Sequence, residues 1–316
     1  MAQPTPTRVG IAGVTGKFAG LILDSLLEDP RVSIRGYCRN ASKLASRYTQ
    51  SSQIEIIEGS ADDKAALAKF VEGLDVVICA YLGDHDLMIN GQKALVDACD
   101  QAKVDRYVAS DYSFDYTQLK MGDHPAKDPM KIIYSYLKEK DHVKGVHVVV
   151  GAFMETFWST YFQVWNADEK TLVYWGSGEE KFESTTYGDS AKYTAAVALD
   201  RNAVGLQKFL GDRKNIVEIG QAIEKAYGFQ PKLKCLGSLD ELYTHMQGLF
   251  KKDPSNVFAW LSFFYQYYCI NGQTHISNDL DNARYPDVKP QTFQDFLNTH
   301  ALEELPTAMV DLAKRD

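Results

Sequence analysis

The feature that most constrains this chain is a short apolar strand that runs into two glycines and then into a helix. Residues 8–20 read RVGIAGVTGKFAG, with Gly13 and Gly16 at the break. Without side chains at these positions the backbone can turn tightly and approach a pyrophosphate, whose charge the amides and dipole of the following helix attract. This order of strand, glycines and helix favours a dinucleotide phosphate site. A strand-turn-helix without a ligand is the alternative.

The second predicted strand is followed by basic residues and by no acidic one. Residues 32–37 form this strand, and Arg39 and Lys43 come shortly after it. An Asp or Glu at this point would bind the ribose 2′-hydroxyl of NAD, whereas an arginine accommodates the 2′-phosphate of NADP. Arg39 and Lys43 therefore favour NADPH over NADH. Two solvated surface cations are the alternative.

Composition and charge argue against several classes of protein. The 316 residues are 45% hydrophobic, which supports a large core, and the length predicts about two domains. A net charge of −8 and the lack of a basic run argue against a nucleic-acid partner. No apolar run approaches the ~20 residues of a membrane helix, and no signal-peptide pattern is present, so we expect no membrane partner and a cytoplasmic location. The five cysteines form no Cys-x-x-Cys pair, so neither a metal site nor a disulfide framework is predicted.

Apolar strand-like runs alternate with amphipathic helical ones through the first half of the chain. This alternation predicts an α/β fold, a Rossmann-type doubly wound parallel sheet, with a smaller C-terminal substrate-binding part. We assign residues 1–150 to an NAD(P)-binding domain. Residues 151–316 form a mainly substrate-binding domain, some segments of which return to the Rossmann core. The predicted strands cover residues 8–12, 33–38, 54–57, 76–80, 106–110 and 146–150.

The chain becomes rich in aromatic residues after Gly151. Seven aromatic residues fall within 257–268 alone, and a soluble protein rarely exposes so much aromatic surface. This segment must therefore bury against the core, another subunit or a ligand, which leaves a homodimer open. We favour a pocket wall for a flat aromatic or polycyclic substrate over plain core, two arrangements that look alike in sequence. The predicted substrate contacts are Asp111, Tyr112, Phe153, Phe157, Trp158 and Phe264.

Several motifs in collinear order resemble those of one family. They are GVTGKFA (13–19), CRNASK (38–43), EGSADD (58–63), RYVASDY (106–112) and YPDV (285–288). On these motifs the chain resembles the isoflavone reductase-like, NmrA-like branch of the atypical short-chain dehydrogenases/reductases. The first motif is similar to the Gly-x-Thr-Gly-x-x-Gly loop of that family, with Ala19 in place of the last glycine. With the strand ends, the resemblance predicts these cofactor contacts: Gly13, Thr15, Gly16, Lys17, Phe18, Arg39, Lys43, Ser60, Ala61, Ala80, Tyr81, Ser110 and Lys131.

The resemblance also implies a catalytic lysine in the helix after the fifth strand. In that family the lysine stands eight residues before a glutamate, and Lys131 and Glu139 have this spacing. Such a lysine can hold the ribose of the nicotinamide and relay a proton. The same helix contains Tyr134 and Lys138, the Tyr-x-x-x-Lys pair of the wider superfamily, in which the tyrosine is the proton donor. Lys131, which we favour, and Tyr134 are thus the catalytic candidates, and a solvated lysine face is the alternative.

The resemblance implies an enzyme, an NADPH-dependent oxidoreductase of secondary metabolism. It would reduce a conjugated C=C, C=O or C=N bond of an aromatic or polycyclic small molecule, with the cofactor carrying the hydride chemistry. An NADPH-binding cyclase on the same fold is one alternative, because fold alone does not decide the reaction. A non-catalytic NAD(P)-sensing regulator that acts through protein contacts is the other.

Overall fold

The computed structural model describes residues 7–311. Its strands are β1 (Thr7–Ala12), β2 (Val32–Cys38), β3 (Ile54–Glu58), β4 (Val76–Cys79), β5 (Arg106–Val108), β6 (Lys144–Val149), β7 (Ala152–Phe153), β8 (Trp165–Asn166), β9 (Thr171–Tyr174), β10 (Lys181–Thr185), β11 (Gly205–Lys208), β12 (Asp212–Asn215) and β13 (Lys232–Cys235). Its helices are α1 (Lys17–Leu27), α2 (Ser46–Thr49), α3 (Lys64–Val71), α4 (Gln92–Gln101), α5 (Asp128–Lys138), α6 (Met154–Trp158), α7 (Tyr187–Leu199), α8 (Ile216–Tyr227), α9 (Leu239–Lys252), α10 (Val257–Ile270), α11 (Phe293–Thr299) and α12 (Ala308–Asp311).

The centre of the molecule is a seven-stranded sheet in the order β11-β6-β5-β4-β1-β2-β3. Neighbouring strands in it run parallel. Helices cover both faces, so every residue of β4 is buried, as expected for a central parallel strand. The prediction of a Rossmann-type doubly wound parallel sheet is confirmed.

The strand order reverses at β1, which pairs with β2 on one side and with β4 on the other. In a doubly wound sheet the crevice outside the carboxyl ends of such strands is where a ligand binds. Helix α1 starts at this crevice. It lies against the sheet through Ala19, Ile22, Leu23 and Leu26, which follow the helical repeat and are buried.

The C-terminal half contributes to the sheet as well as packing beside it. Strand β11 pairs with β6 as the seventh strand, and α7 packs against α1. Two three-stranded sheets, β12-β10-β7 and β13-β9-β8, make up much of the remainder. The chain leaves the large sheet at Gly151, where φ is +72° and a Cβ would lie 2.5 Å from the carbonyl oxygen of Glu183. The domain boundary at 150/151 stays a prediction.

Helix hydrophobicity and the state of the cysteines complete the description of the fold. Between residues 7 and 311, no helix combines the length and the apolar character that crossing a membrane requires. All five cysteines are free thiols; four are buried and Cys235 is exposed.

Candidate active site

The glycine loop lies directly against the ends of the two strands that flank β1. Gly13 has φ of +81°, and a Cβ there would lie 2.8 Å from the carbonyl oxygen of Ala80, just after β4. The amides of Gly13 and Val14 donate to the carbonyl of Tyr37 in β2, at 2.9 and 3.2 Å. A side chain at position 13 would therefore push the loop out of the crevice, so glycine is required there.

The N-terminus of α1 has the features of an anion-binding site. Gly16 is the N-cap residue, no side chain caps the helix, and its first turn contains no acidic residue. Thr15, Gly16 and Lys17 are exposed. Uncapped amides and the positive end of the helix dipole attract phosphate groups. Together with the close backbone approach at Gly13, these residues fit the diphosphate of a dinucleotide.

The two cations after β2 are available to a ligand. Arg39 and Lys43 are exposed, and neither side chain has a hydrogen bond or an ion pair with any residue from 7 to 311. Hydrogen bonds fix the conformation of their loop. The Glu58 carboxylate accepts one from the amide of Ala41 at 2.5 Å. The side chain of Asn40 accepts another from the amide of Ser42. A fixed loop with two unpaired cations fits a 2′-phosphate.

The remaining predicted cofactor residues lie along the carboxyl edge of the sheet. The hydroxyl of Ser60 donates to Asp62, and the carbonyl of Ser60 accepts from the hydroxyl of Tyr37 at 2.6 Å. The hydroxyl of Ser110 donates to the carbonyl of Tyr81 at 2.7 Å and so links the ends of β4 and β5. Their contacts with a cofactor stay predictions, as do those of Ala61 and Ala80.

A cluster of half-buried aromatic rings begins at the glycine loop. The Phe18 ring lies 4.6 Å from the ring of Tyr112 and 5.6 Å from that of Phe153. Phe153 stacks on Tyr187 at 3.8 Å. Tyr112 adopts a left-handed φ of +35° and donates through its hydroxyl to the carbonyl of Cys79. These rings bring the glycine loop, β5, β7 and α7 together at one place.

This cluster continues into the C-terminal half. The hydroxyls of Tyr161 and Tyr187 each interact electrostatically with that of Tyr265 on α10, and all three rings are partly exposed. We call the set of Phe18, Phe153, Tyr161, Tyr187 and Tyr265 the aromatic crevice. Partly exposed rings close to one another suit a flat aromatic ligand, which can stack between them.

A buried lysine lies at the inner end of the aromatic crevice. Lys127 is 2% exposed, and its ammonium lies 4.8 Å from the ring centroid of Tyr265 and 5.1 Å from that of Phe114. No residue from 7 to 311 forms an ion pair or hydrogen bond with this ammonium. Burial lowers the pKa of Lys127 to about 7, although the carboxylate of Asp111 acts in the opposite direction. A lysine that titrates near neutral pH can donate and accept protons there.

A buried histidine lies beside this lysine. His124 is fully buried among the rings of Phe114, Phe264, Tyr265 and Tyr268, and both of its ring nitrogens lack a partner among residues 7–311. Burial, with a contribution from the charge of Lys127, holds the pKa of His124 well below its usual range. The imidazole is therefore neutral at neutral pH and leaves the ammonium as the positive charge at this end of the crevice.

The two catalytic residues predicted from sequence lie on another face of α5. The Lys131 ammonium donates to the carbonyl of Leu119. Lys131 and Tyr134 line an outer cavity of about 600 Å³ with Tyr136 and Glu139. Tyr134 also packs its ring against His147 at 4.4 Å. The structure therefore brings Lys131 and Tyr134 together but not into the aromatic crevice, and their catalytic role stays a prediction.

Three of the predicted substrate residues lie in the hydrophobic core. Phe157, Trp158 and Phe264 are at most 1% exposed. Phe157 contacts the rings of Trp158 and Phe293, whereas Phe264 contacts that of Trp260. Their substrate contacts stay predictions, in contrast to the position of Phe153, which the structure does place in the aromatic crevice.

Solved structures of other proteins have the same fold. The chain superimposes on the crystal structure of an isoflavone reductase with a TM-score of 0.77 and 20% identity, over 93% of this chain and 99% of that one. It superimposes equally well, at 0.77 and 21% identity, on AtPrR2 with NADP+ and (+)pinoresinol, over 94% and 99% of the two chains. At this level of identity the likeness concerns the fold alone.

The chain also has relatives in sequence, among them a reductase and an oxidoreductase. Residues 13–148 match the model of NAD(P)H-binding domains. A bifunctional pinoresinol-lariciresinol reductase of Linum perenne is 24% identical over 260 residues, 78% of this chain and 82% of that protein. An NmrA-like family domain-containing oxidoreductase of Gibberella moniliformis is 24% identical over 237 residues, 67% and 75% of the two chains. These similarities support the resemblance of the chain to the isoflavone reductase-like, NmrA-like family.

The family model reaches only one of the two ends of the site. The match begins at Gly13 and ends within β6, so it includes the glycine loop, Arg39 and Lys127. Phe153, Tyr187 and Tyr265, which form most of the aromatic crevice, lie beyond it. The NAD(P)H-binding description thus covers the cofactor side and does not extend to the substrate side.

Proposed function

We propose that this chain is a reductase that acts on a conjugated C=C, C=O or C=N bond of an aromatic or polycyclic secondary metabolite. It is an oxidoreductase and its cofactor is NADPH, which when bound supplies a hydride. The observation that carries the proposal is the aromatic crevice, which starts at the glycine loop and ends at the buried ammonium of Lys127. The Linum relative, a pinoresinol-lariciresinol reductase, supports the substrate class.

The cofactor would be held along the whole carboxyl edge of the sheet. Gly13, Gly16 and the start of α1 would bind its diphosphate, and Arg39 and Lys43 its 2′-phosphate. The residues that would line the adenine and nicotinamide sides are Ser60, Ala61, Ala80, Tyr81 and Ser110.

Reduction of a conjugated bond also needs a proton, and Lys127 is the group we propose as its donor. The ammonium faces the ring of Tyr265, and no carboxylate among residues 7–311 forms an ion pair with it. Because its pKa is about 7, a large share of Lys127 is protonated at neutral pH, and the neutral amine left after donation suits the buried site. The ammonium would also stabilise negative charge that develops on a substrate oxygen.

We expect Arg39→Ala to weaken NADPH binding by ~1.5–3 kcal/mol, the range for a lost hydrogen bond to a charged group. NADH lacks the 2′-phosphate, so its affinity should hardly change. Titration calorimetry with both cofactors measures the two effects, and Arg201→Ala, at another exposed arginine, is the matched control. Equal weakening of both cofactors would contradict the assignment of Arg39 to the 2′-phosphate.

The reductase activity is tested by following NADPH absorbance with a panel of aromatic probes. The panel contains (+)pinoresinol, an isoflavone, an aromatic enone and an aromatic imine. We expect at least one probe to be reduced, with one NADPH oxidised for each product molecule detected by mass spectrometry. NADPH binding without oxidation by any probe would contradict the proposal and favour a regulator. Conversion of a probe to an isomer without NADPH consumption would favour a cyclase.

A further inference from the structure

A buried hydrogen-bond network connects the end of β5 with the middle of β6. The Asp111 carboxylate accepts from the Tyr116 hydroxyl at 2.8 Å, and its same oxygen, Oδ2, lies 2.7 Å from Nδ1 of His147. The Tyr116 oxygen is itself 3.3 Å from that nitrogen. Asp111 and His147 are each only 3% exposed. A carboxylate oxygen and an imidazole nitrogen at this distance form a hydrogen bond.

The inner side of this network interacts electrostatically with the lysine of the aromatic crevice. Asp111 Oδ1 is buried and has no hydrogen-bond partner among residues 7–311. The carboxylate is close enough to Lys127 to act on its ammonium through space. A buried carboxylate oxygen without a partner can accept a proton, directly or through a water molecule, and pass it to a neighbouring amine.

The outer side of the network reaches a cavity on the other side of α5. His147 lines a cavity of about 230 Å³ together with Tyr134, Lys138, Lys140 and Gly145. Nε2 is the nitrogen on that side, because a Cβ added to Gly145 would lie 3.0 Å from it. The absence of a side chain at residue 145 therefore keeps Nε2 open toward the cavity. The charged groups that line this cavity with the imidazole are Lys138, Lys140 and Lys144.

We propose that Asp111 and His147 form a proton relay that returns a proton to Lys127 from the cavity lined by His147 and Gly145 after each turnover. The proposal rests on the reductase function proposed above, in which each hydride transferred consumes one proton. Water in the cavity protonates Nε2, the Nδ1 proton passes to Asp111, and the carboxyl group passes a proton to the neutral amine of Lys127. Rotation of the imidazole then returns an N–H to Asp111. One proton leaves the solvent and one reaches Lys127, so the cycle balances.

The coupling between these groups can be measured without turnover. In protein with ¹⁵N-labelled histidine, we expect NMR to show that the ring protons of His147 exchange with water and that its ring ¹⁵N chemical shifts change in Lys127→Met. Asp111→Asn, which removes the carboxylate between the two groups, should make these shifts insensitive to residue 127. Lys120→Met, at an exposed lysine of the preceding loop, is the control and should leave the shifts unchanged. A His147 whose ring protons do not exchange with water would overturn the relay.

Turnover provides the second arm once a probe is reduced. His147→Gln, which retains a donor toward Asp111 but cannot carry a proton through, should lower kcat about 100-fold, within the range for proton transfer by a positioned side chain. Its solvent isotope effect should increase while KM stays the same. Gly145→Ala, which crowds Nε2 of His147 and retains the side chains of both relay residues, should also slow turnover, whereas His142→Gln at an exposed histidine should not.

The two arms separate failure of the relay from failure of the reductase. If probes are reduced and His147→Gln has the wild-type kcat and isotope effect, the relay is wrong and the reductase stands. If no probe is reduced but the NMR coupling between residues 127 and 147 is present, the reductase is contradicted and the proton connection is supported. A buried pair that only ties β5 to β6 would change stability in these variants without changing the isotope effect.

Discussion

Replacing Lys127 with methionine should lower kcat for the reduced probe by ~10²–10⁴, the range for loss of a general acid. The side chain would keep its volume and its contacts with Phe114 and Tyr265, and only the ammonium would be removed. NADPH affinity should stay near that of the wild type, because the predicted cofactor contacts on the glycine loop and after β2 are unchanged. Steady-state kinetics and calorimetry on the same protein measure both effects.

The same substitution should stabilise the fold near neutral pH, which separates lost chemistry from lost structure. Burial lowers the pKa of Lys127 to about 7, whereas the unfolded side chain titrates near 10.5. Between these values the unfolded chain binds more protons, so the wild type gains stability as the pH rises from about 7 toward 10.5. The advantage of Lys127→Met in urea unfolding should therefore be largest at or below pH 7 and should disappear toward pH 10.5.

Lys131 and Tyr134 provide the comparison that decides which residue donates the proton. The spacing to Glu139 favours Lys131, whereas the aromatic crevice favours Lys127. If Lys131→Met abolishes turnover and Lys127→Met leaves it intact, the assignment to Lys127 is wrong. If Tyr134→Phe abolishes turnover instead, the proton donor is the tyrosine of the Tyr-x-x-x-Lys pair.

Replacing Trp158 with alanine should lower the free energy of unfolding by about 3–5 kcal/mol, the usual cost of removing a large buried ring. Trp158 is 0% exposed and lies among the rings of Phe157, Trp165 and Phe293. Its removal leaves a cavity that these rings can fill only in part. Chemical denaturation of the variant and the wild type measures the difference.

Phe258 provides the matched control for the Trp158 prediction. Its side chain is 86% exposed, so Phe258→Ala should change the free energy of unfolding by no more than about 0.5 kcal/mol. A Trp158→Ala variant that kept wild-type stability and lost only affinity for a reduced probe would contradict the core position. It would favour the pocket-wall role that the aromatic content after Gly151 suggests.

The central sheet and the cofactor side could be predicted from sequence because short, continuous segments of the chain determine them. Six strands of the large sheet lie within a residue or two of the predicted ranges, since each combines an apolar run with a following amphipathic helix. The glycine loop could be predicted because a tight turn at Gly13 leaves no space for a side chain. The seventh strand, β11, lacks such a signal, because residues 205–208 read GLQK and become a strand only by pairing with β6.

The inner end of the aromatic crevice could not be predicted from local sequence signals. Lys127 stands in the sequence HPAKDP, which reads as a polar turn, and Pro125 and Pro129 indicate only that a helix begins nearby. Its burial arises from α10, which follows more than a hundred residues later and covers it with Tyr265. For the same reason, aromatic periodicity could not separate Phe264, which is buried, from its neighbour Tyr265, which is partly exposed.

Strand β11 and helix α7 are synthesised after the other elements of the large sheet that they pack against, and this order affects folding on the ribosome. While the first 150 residues leave the ribosome, β6 has no outer neighbour and the face of α1 that α7 later covers is bare. An unpaired parallel strand with Val146, Val148 and Val149 on it is a template for pairing with other chains. A nascent chain cut at the apparent domain boundary is therefore an aggregation-prone fragment rather than a small dinucleotide-binding protein, and synthesis must continue past residue 208 before the sheet closes.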